Sequence, residues 1–368
     1  NTQIFLLASC IICAIVSIAS GSSWSTIATI GIALMAIGEV LGMSQGLVAG
    51  SIISGAYFGD KMSPLSDTTN LAAAMAGTDL FVHIKYMMYT TIPTFLITLL
   101  IFFFIGISID TSSEQNINSL LSALDSKFNI NPWLFIVPLT VVVLIIKKIP
   151  AIQSLLIGTL LGGLFAVFFQ PHIILDITKS DILSISSSFK GVIIAIFSDV
   201  IINTDNLDIS KELLTSKGMK GMLDTIFLVI CAMCFGGAMQ AGGLLKRISD
   251  SIMLYAKNTG SLIATTSTTC LFFNLTTCDQ YLSIVVPGRM FKDNYREKGL
   301  ASENLSRTLE DSGSVTSVLI PWNTCGAYSW EMLGVHPLSY LPYCFFNLIS
   351  PLMTILYGYL QIRIKKIN

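Results

Sequence analysis

Residues 86–109 read Tyr86-Met-Met-Tyr-Thr-Thr-Ile-Pro-Thr-Phe-Leu-Ile-Thr-Leu-Leu-Ile-Phe-Phe-Phe-Ile-Gly-Ile-Ser-Ile109 and contain no Asp, Glu, Lys or Arg. An α-helix needs about 20 consecutive, predominantly apolar residues to cross the hydrocarbon core of a bilayer, so this stretch predicts a transmembrane helix. Further charge-free runs cover residues 1–38, 40–59, 128–146, 149–175, 225–245, 258–278, 312–330 and 332–362. We therefore predict an all-α polytopic membrane protein with roughly nine to eleven membrane segments.

The composition agrees with lipid as the main solvent of the chain. Of its 368 residues, 53% are hydrophobic and only 12% are charged, where a soluble domain carries about 25% charged residues. A transmembrane β-barrel would need apolar and polar residues in alternation, and Leu139-Thr-Val-Val-Val-Leu-Ile-Ile146 is apolar on every side. The net charge of −1 and the lack of a basic patch argue against a nucleic-acid partner. The segment Gly42-Met-Ser-Gln-Gly46 fits a hydrolase motif, but no strand precedes it, so we do not predict an enzyme.

Basic clusters predict the orientation of the chain. They lie at Lys147–Lys148, Lys246–Arg247, Arg289–Lys298 and Arg363–Lys366. Because Lys and Arg are enriched in cytoplasmic loops, we expect these clusters and the C-terminus in the cytoplasm. The loop 110–127 and the polar stretch 170–220, with an amphipathic piece around 190–203, are then external. This divides the chain into a first repeat region, 1–109, connecting and scaffold helices, 110–221, and a second repeat region, 222–368.

Two polar interruptions predict broken helices. Gly21-Ser-Ser-Trp-Ser-Thr26 interrupts the first charge-free run. Two full spans do not fit between Lys257 and Arg289, so we expect a broken helix or a re-entrant hairpin with its turn near Asn274–Asp279. Segment 22–31 can be laid against 279–288, and 59–70 against 310–323. Such paired interruptions are typical of inverted repeats whose binding site lies at mid-membrane.

Residues 59–70 are the strongest candidate for a cation and proton site. Asp60 and Asp67 flank Pro64, which disrupts a helix that passes through it. The neighbouring oxygen donors are Ser63, Ser66, Thr68, Thr69 and Asn70. Hard cations prefer such oxygen ligands, and we place Na⁺ at Asp60 and Asp67. The alternative is a polar interhelical loop with capping Ser and Asp residues.

A second acidic cluster would contribute from the other half of the chain. Asp311 opens a charge-free run, whereas Glu310 is the weaker candidate because Arg307 lies one turn away and is placed to pair with it. Asp279 lies at the proposed hairpin turn. The alternative for Asp311 is an N-capping acid at a helix start, and the alternative for Asp279 is a turn residue that faces water. Further oxygen donors are Ser22, Ser23 and Thr26 in the first half and Asn323 and Thr324 within the motif 310–326.

Three stretches resemble the NhaC family of Na⁺/H⁺ antiporters. They are Ala14–Gly31, Val48–Ala72 and Leu305–Tyr328, which include Gly59-Asp-Lys-Met-Ser-Pro-Leu-Ser-Asp-Thr-Thr-Asn70 and Glu310-Asp-Ser-Gly-Ser-Val-Thr-Ser-Val-Leu-Ile-Pro-Trp-Asn323. The resemblance implies a multi-pass antiporter of the bacterial cytoplasmic membrane, built from inverted repeats. It also implies an amino-terminally truncated chain, since family members begin with further hydrophobic segments. Region 176–217 matches no family motif.

The resulting hypothesis is exchange of cytoplasmic Na⁺ for external H⁺ by alternating access. Asp60 and Asp67 would bind Na⁺ and the proton in competition, and the hypothesis predicts that Asp67→Asn abolishes exchange. The runner-up is a Na⁺- or H⁺-coupled exchanger of organic anions, of the malate/lactate type, with Lys61 as the anion or charge-balancing residue. A passive channel is a third alternative. We expect the lipid bilayer and small ions or small organic anions as partners and no cofactor beyond the transported Na⁺ and H⁺, and a homodimer is left open.

Overall fold

The computed structural model describes residues 2–108, 127–147, 149, 151–202, 215–216, 218–221, 223–253 and 255–367. The predicted external loop 110–127 lies outside the described residues except for Lys127. Lys148 of a predicted cytoplasmic cluster and residues 203–214 of the predicted polar loop also fall outside them.

The described chain is almost entirely helical, as predicted. The α-helices are α1 Phe5–Ser20, α2 Ser23–Thr26, α3 Ile32–Val40, α4 Gln45–Met62, α5 Asp67–Ala76, α6 Leu80–Ser108, α7 Ile136–Ile146, α8 Ala151–Phe169, α9 Pro171–Thr178, α10 Ile185–Phe197, α11 Gly218–Gly221, α12 Leu223–Ala241, α13 Leu244–Met253, α14 Thr259–Thr276, α15 Gln280–Glu297, α16 Ser302–Leu309, α17 Thr324–Leu333, α18 Pro337–Tyr340 and α19 Phe345–Tyr359. Short 3₁₀ segments span Thr2–Ile4, Pro132–Phe135, Ser317–Leu319 and Leu341–Tyr343, and π-helical turns span Ile27–Gly31 and Glu310–Ser314. Strands β1 Val200–Ile201 and β2 Thr215–Ser216 pair antiparallel, Val200 opposite Ser216.

Helix α6 contains residues 86–108 of the run that predicted a membrane span. It begins at Leu80, six residues before the charge-free run, because Asp79 caps its first turn by accepting from the amides of Phe81 and Val82. Within the described residues, three helical stretches are long and apolar enough to cross a membrane, at 23–40, 80–108 and 218–239. The number rises to five if the bent pairs 156–169 with 171–178 and 337–343 with 345–359 each form one span. The polytopic helical architecture is therefore supported, and the count of nine to eleven stays a prediction.

The contacts divide the chain into two compact units. One comprises residues 1–38, 43–110 and 227–368, and the other comprises 39–42 and 111–226. In the second unit, α10 begins five residues before the predicted amphipathic piece, because Ser184 and Ser187 form a capping box. All candidate site residues lie in the first unit.

Close packing of α1 against α4 positions the candidate site. A Cβ at Gly55 would overlap the carbonyl oxygen of Cys10, and a Cβ at Gly59 would overlap that of Ala14. Glycines four residues apart let two helix backbones approach closely. This contact fixes the end of α4, where Asp60 lies, against α1.

Two pairs of chain breaks lie against each other within the first unit. The chain leaves α1 at Gly21 (φ 68°), where a Cβ would lie 2.6 Å from the Cβ of Leu65 in the break after α4. The turn between α14 and α15, at 277–279, meets the break before α17, because the Thr324 amide donates to the Cys278 carbonyl at 3.0 Å. The turn lies where the sequence predicted it. Helix α15 continues past Arg289 through the charged residues up to Glu297, so α14 and α15 form a helical hairpin around this turn.

Candidate functional site

Asp60 is a buried carboxylate at the last turn of α4, with 6% of its surface exposed. Its Oδ2 accepts hydrogen bonds from the backbone amide of Ser23 at 3.1 Å and from the Ser23 hydroxyl at 2.7 Å. Ser23 is the first residue of α2, so the break at Gly21 turns a helix N-terminus toward the carboxylate, an arrangement that stabilises negative charge. Asp60 Oδ1 has no hydrogen-bond partner among the described residues.

Glu310 is a second buried carboxylate, on the π-helical turn that follows α16. Its Oε1 accepts from the Thr68 hydroxyl at 3.2 Å, and the Thr68 and Ser66 hydroxyls are 3.1 Å apart. Its Oε2 has no partner within the described part of the chain. Glu310 lies close enough to Asp60 and to Lys61 to interact with both electrostatically. A π-helical turn inside a helix is frequent at functional sites.

Glu310 does not pair with Arg307, contrary to the expectation from the sequence. Arg307 donates through Nη1 to the Arg363 carbonyl at 3.4 Å, and its guanidinium lies 4.8 Å from the ring centroid of Tyr86. Glu310 is therefore a stronger site candidate than the sequence indicated.

Lys61 and Asp311 form a buried ion pair beside these carboxylates, with 1% and 0% of their side chains exposed. Lys61 also donates to the Ser350 hydroxyl at 3.1 Å, and the Thr90 hydroxyl donates to Asp311 Oδ2 at 2.9 Å. Lys61 follows Asp60 in sequence, but consecutive residues on a helix do not face each other. Lys61 and Thr90 occupy the two carboxylate oxygens of Asp311. The predicted ligand Asp311 is therefore the counterion of Lys61.

Asp67 differs from the buried carboxylates Asp60 and Glu310, although it lies close enough to Asp60 to interact with it electrostatically. It is exposed at the first turn of α5, and its Oδ2 accepts from the Tyr281 hydroxyl at 2.5 Å. Asn70 is also exposed, and its amide donates to the carbonyl oxygens of Ser66 at 2.6 Å and Pro64 at 3.1 Å. The structure thus places Asp67 and Asn70 at the margin of the site.

The remaining predicted oxygen donors of the first repeat region hold the broken segments in place. Ser63 donates to the Ile18 carbonyl at 2.8 Å, Thr69 to the Lys61 carbonyl at 3.2 Å and Thr26 to the Ser22 carbonyl at 2.9 Å. Ser66 accepts from the Thr69 amide and so caps α5, and Ser22 accepts from the Ser25 amide and so caps α2. Of this group, Ser23 contacts Asp60 directly, and Thr68 contacts Glu310.

Two predicted residues of the second repeat region, Asp279 and Asn323, cap helices. Asp279 accepts from the Leu282 amide at 2.9 Å at the start of α15. Asn323 accepts from the Cys325 amide at 3.1 Å at the start of α17 and donates to Asn274. The Thr324 hydroxyl donates to Asn323 Oδ1 at 3.4 Å. Asp279 and Asn323 are thus N-caps, and Thr324 contacts the capping side chain of Asn323.

The arrangement suits a cation bound by oxygens. Asp60 Oδ1 and Glu310 Oε2 are the buried carboxylate oxygens left without a partner among the described residues. The same part of the chain has no cluster of three or more His, Cys, Asp or Glu that could hold a metal ion. A bound cation would therefore complete its ligand shell with hydroxyl or carbonyl oxygens, as hard cations do. The same two carboxylate oxygens can take protons instead.

Comparison of this sequence with known proteins finds similarity to antiporters throughout. The model of the Na⁺/H⁺ antiporter family matches residues 55–362. The Na⁺/H⁺ antiporter NhaC of Alkalihalophilus pseudofirmus is 40% identical over 362 residues, covering 98% of this chain and 75% of the relative. The NhaC protein of Bacillus subtilis is 36% identical over 358 residues, covering 97% and 76%. The malate-2H⁺/Na⁺-lactate antiporter of Bacillus subtilis is 37% identical over 361 residues, covering 98% and 74%.

Proposed function

We propose, from the premise that this chain belongs to the Na⁺/H⁺ antiporter family, that it exchanges cytoplasmic Na⁺ for external H⁺ by alternating access. The family is one of transporters, and its NhaC members are bacterial membrane antiporters. Inverted repeats around the two pairs of chain breaks would supply the alternation. We place the protein in the cytoplasmic membrane with its C-terminus in the cytoplasm, on the strength of the basic clusters.

The observation that carries this proposal is the pair of buried carboxylates, Asp60 and Glu310. Two carboxylates that interact electrostatically inside a membrane protein repel each other, and each is costly as an isolated charge. A bound Na⁺ or a bound proton relieves both costs at the same oxygens. Since Asp60 Oδ1 and Glu310 Oε2 are the free positions, occupation by one ion excludes the other, which is the condition for exchange.

The proposal revises the predicted site. Na⁺ was expected at Asp60 and Asp67, and we now assign it to Asp60 and Glu310. The exposed Asp67, held by Tyr281, would attract cations toward the site. We therefore expect Asp67→Asn to weaken exchange without abolishing it.

The organic-anion exchanger remains the second candidate, because a relative of similar identity is named a malate-2H⁺/Na⁺-lactate antiporter. It needs a cation that can pair with a substrate carboxylate. Lys61 is already paired with Asp311 and hydrogen-bonded to Ser350. An organic anion would have to displace Asp311, which favours the cation exchanger.

Transport in sealed proteoliposomes with a pH dye inside tests the proposal. A proton gradient is imposed, and Na⁺, malate or lactate is added separately. We expect Na⁺ alone to collapse the gradient in a saturable manner, and we expect Asp60→Asn and Glu310→Gln to remove that response. The matched control is Glu297→Gln, which neutralises an exposed carboxylate at the end of α15.

Each other outcome has a definite meaning. A response that requires malate or lactate would establish the second candidate. Normal Na⁺ exchange in both buried variants would exclude the assigned site. Flux of Na⁺ without proton movement would exclude antiport and favour a passive channel.

A further inference from the structure

A cavity of about 390 Å³ lies in the first unit, away from the buried carboxylates. The end of α5, the last turns of α15, the start of α16 and the C-terminal tail form its walls. Its lining includes Gly77, Lys292, Arg296, Glu303 and Lys366. These residues lie outside the proposed exchange site and the predicted site motifs, and the basic ones belong to the clusters that predicted the orientation of the chain.

Positive charge dominates the lining. Lys292, Arg296, Lys365 and Lys366 face one carboxylate, Glu303. Glu303 forms an ion pair with Lys365, and its hydrogen bond raises the pKa of Lys365 above its usual value. The other three cations have no carboxylate partner among the described residues. The cavity therefore presents an excess of three positive charges.

Backbone contacts hold the tail in place beside this cavity. Lys366 bridges Leu300 in antiparallel fashion, the Ala301 amide donates to the Lys365 carbonyl at 3.0 Å, and the Ile367 amide donates to the Gly299 carbonyl at 2.8 Å. The basic tail residues are thus part of the folded wall. On the opposite wall, Lys292 Nζ lies 3.0 Å from where a Cβ of Gly77 would be, so a glycine there leaves room for the ammonium group.

Exposed apolar side chains lie beside these charges. Leu360, Ile362 and Ile367 have 58%, 40% and 52% of their surfaces exposed. Apolar and basic residues alternate in this way where a segment lies at a membrane surface that carries anionic groups. We therefore expect the cavity to lie near the membrane surface, where phosphate-bearing groups are concentrated.

We propose that this cavity binds a phosphate-bearing anion, either the headgroup of an anionic phospholipid or a free phosphate compound. Arg296 and Lys292 from α15 and Lys366 from the tail would pair with the phosphate oxygens. Arginine suits such oxygens because its guanidinium can donate two parallel hydrogen bonds.

The position of the cavity couples it to the exchange site, if the proposed function holds. Helix α5 runs from Thr68, which contacts Glu310, to Gly77 at the cavity. Helix α16 runs from Ser302 at the cavity directly into Glu310. With about 1.5 Å of rise per residue, each helix spans only about 12–15 Å. An anion in the cavity would therefore fix the far ends of both helices that hold Glu310.

Ligand titration of the purified full chain in detergent tests the proposal without relying on transport. The probes are short-chain phosphatidylglycerol, short-chain phosphatidylcholine and inorganic phosphate, with tryptophan fluorescence and thermal stability as readouts. We expect Arg296→Gln and Lys366→Gln each to weaken binding of the anionic probe about fivefold, the contribution of one basic residue near an anionic surface. The matched control is Arg289→Gln, an exposed cation on the same helix that does not line the cavity.

The probes separate the two sources of phosphate. Binding of phosphatidylglycerol alone, weakened in the two cavity variants, supports a lipid headgroup. Binding of inorganic phosphate with the same dependence supports a free phosphate compound. Equal binding of phosphatidylcholine, equal weakening by Arg289→Gln, or no binding of either anionic probe would overturn the proposal. None of these results depends on Na⁺/H⁺ exchange, so a failure here leaves the test of the proposed function intact.

Discussion

The buried Lys61–Asp311 pair allows the sharpest test of how the site is held. Asp311→Leu would leave the Lys61 ammonium with the Ser350 hydroxyl as its hydrogen-bond partner. Removing one member of a buried ion pair costs about 3–5 kcal/mol, because the other charge stays buried and uncompensated. Lys61→Met would leave Asp311 with two hydroxyl donors, from Thr90 and Ser350. Since each hydrogen bond to a charged group contributes about 1.5–3 kcal/mol, we expect this variant to be the less damaged of the two.

The double variant then reports the interaction itself. Replacing both members leaves no isolated charge. The double variant should therefore lose less unfolding free energy than the two single variants lose together, by about 2–3 kcal/mol. The assay is chemical unfolding in detergent micelles, followed by circular dichroism. The control cycle uses Lys365→Met and Glu303→Gln, a pair in which Lys365 is 53% exposed. Solvent screening should hold that coupling below about 1 kcal/mol. Additive costs at Lys61 and Asp311 would refute the assignment of a buried ion pair.

Three further changes test the packing and the carboxylate pair. His83 is fully buried, and both its ring nitrogens lack a partner among the described residues. Because an unpaired buried polar group is costly, we expect His83→Leu to raise the free energy of unfolding by about 1–2 kcal/mol. A loss of stability would show a polar role for the imidazole. Gly59→Ala would drive a methyl group into the backbone of α1 and should lower the free energy of unfolding by about 1–3 kcal/mol. Its control, Gly237→Ala, has no atom within 4 Å of the added Cβ and should be neutral or stabilising. Equal effects of the two variants on unfolding would contradict the close packing of α1 and α4. Thr68→Val removes the hydrogen bond to Glu310 and should change the apparent Na⁺ affinity of exchange at least about tenfold; an unchanged affinity would remove Glu310 from the site.

Local pattern explains which features of the fold could be predicted. Helical membrane segments, the breaks near Gly21 and Pro64 and the turn at 277–279 follow from charge-free runs interrupted by Gly, Pro and polar residues. Helix ends were predicted less well. α6 extends past the charge-free run to Leu80, and α15 extends through its charged residues, because a cap or a long side chain that reaches water allows a helix to continue beyond the apolar run.

The sequence indicated which kinds of residue form the candidate site, but only in part which side chains contact each other. Asp60 and the oxygen-rich segment 59–70 stood out from the sequence, and Ser23, which the sequence grouped with them, donates a hydrogen bond to Asp60 in the structure. Glu310 was ranked below Asp67 because Arg307 lies one helical turn from it. In the structure, the Arg307 guanidinium instead lies over the buried ring of Tyr86 and donates a hydrogen bond to the Arg363 carbonyl. One signal for Glu310 was present in the sequence, namely its place in the acidic pair Glu310–Asp311, directly before a segment rich in small hydroxyl residues.

The sequence by itself determined that lipid surrounds this chain, that its helices break at particular points and that acids lie at those breaks. These properties depend on the local balance of apolar, polar and charged residues. Only the tertiary structure decided that Lys61 pairs with Asp311, 250 residues away, and that Thr68 contacts Glu310. It also decided that Asp67 is exposed while Asp60 is buried, although they are only seven positions apart in the sequence. Partner choice inside a membrane protein depends on which helix faces meet, and that is fixed by long-range packing such as the glycine contact between α1 and α4.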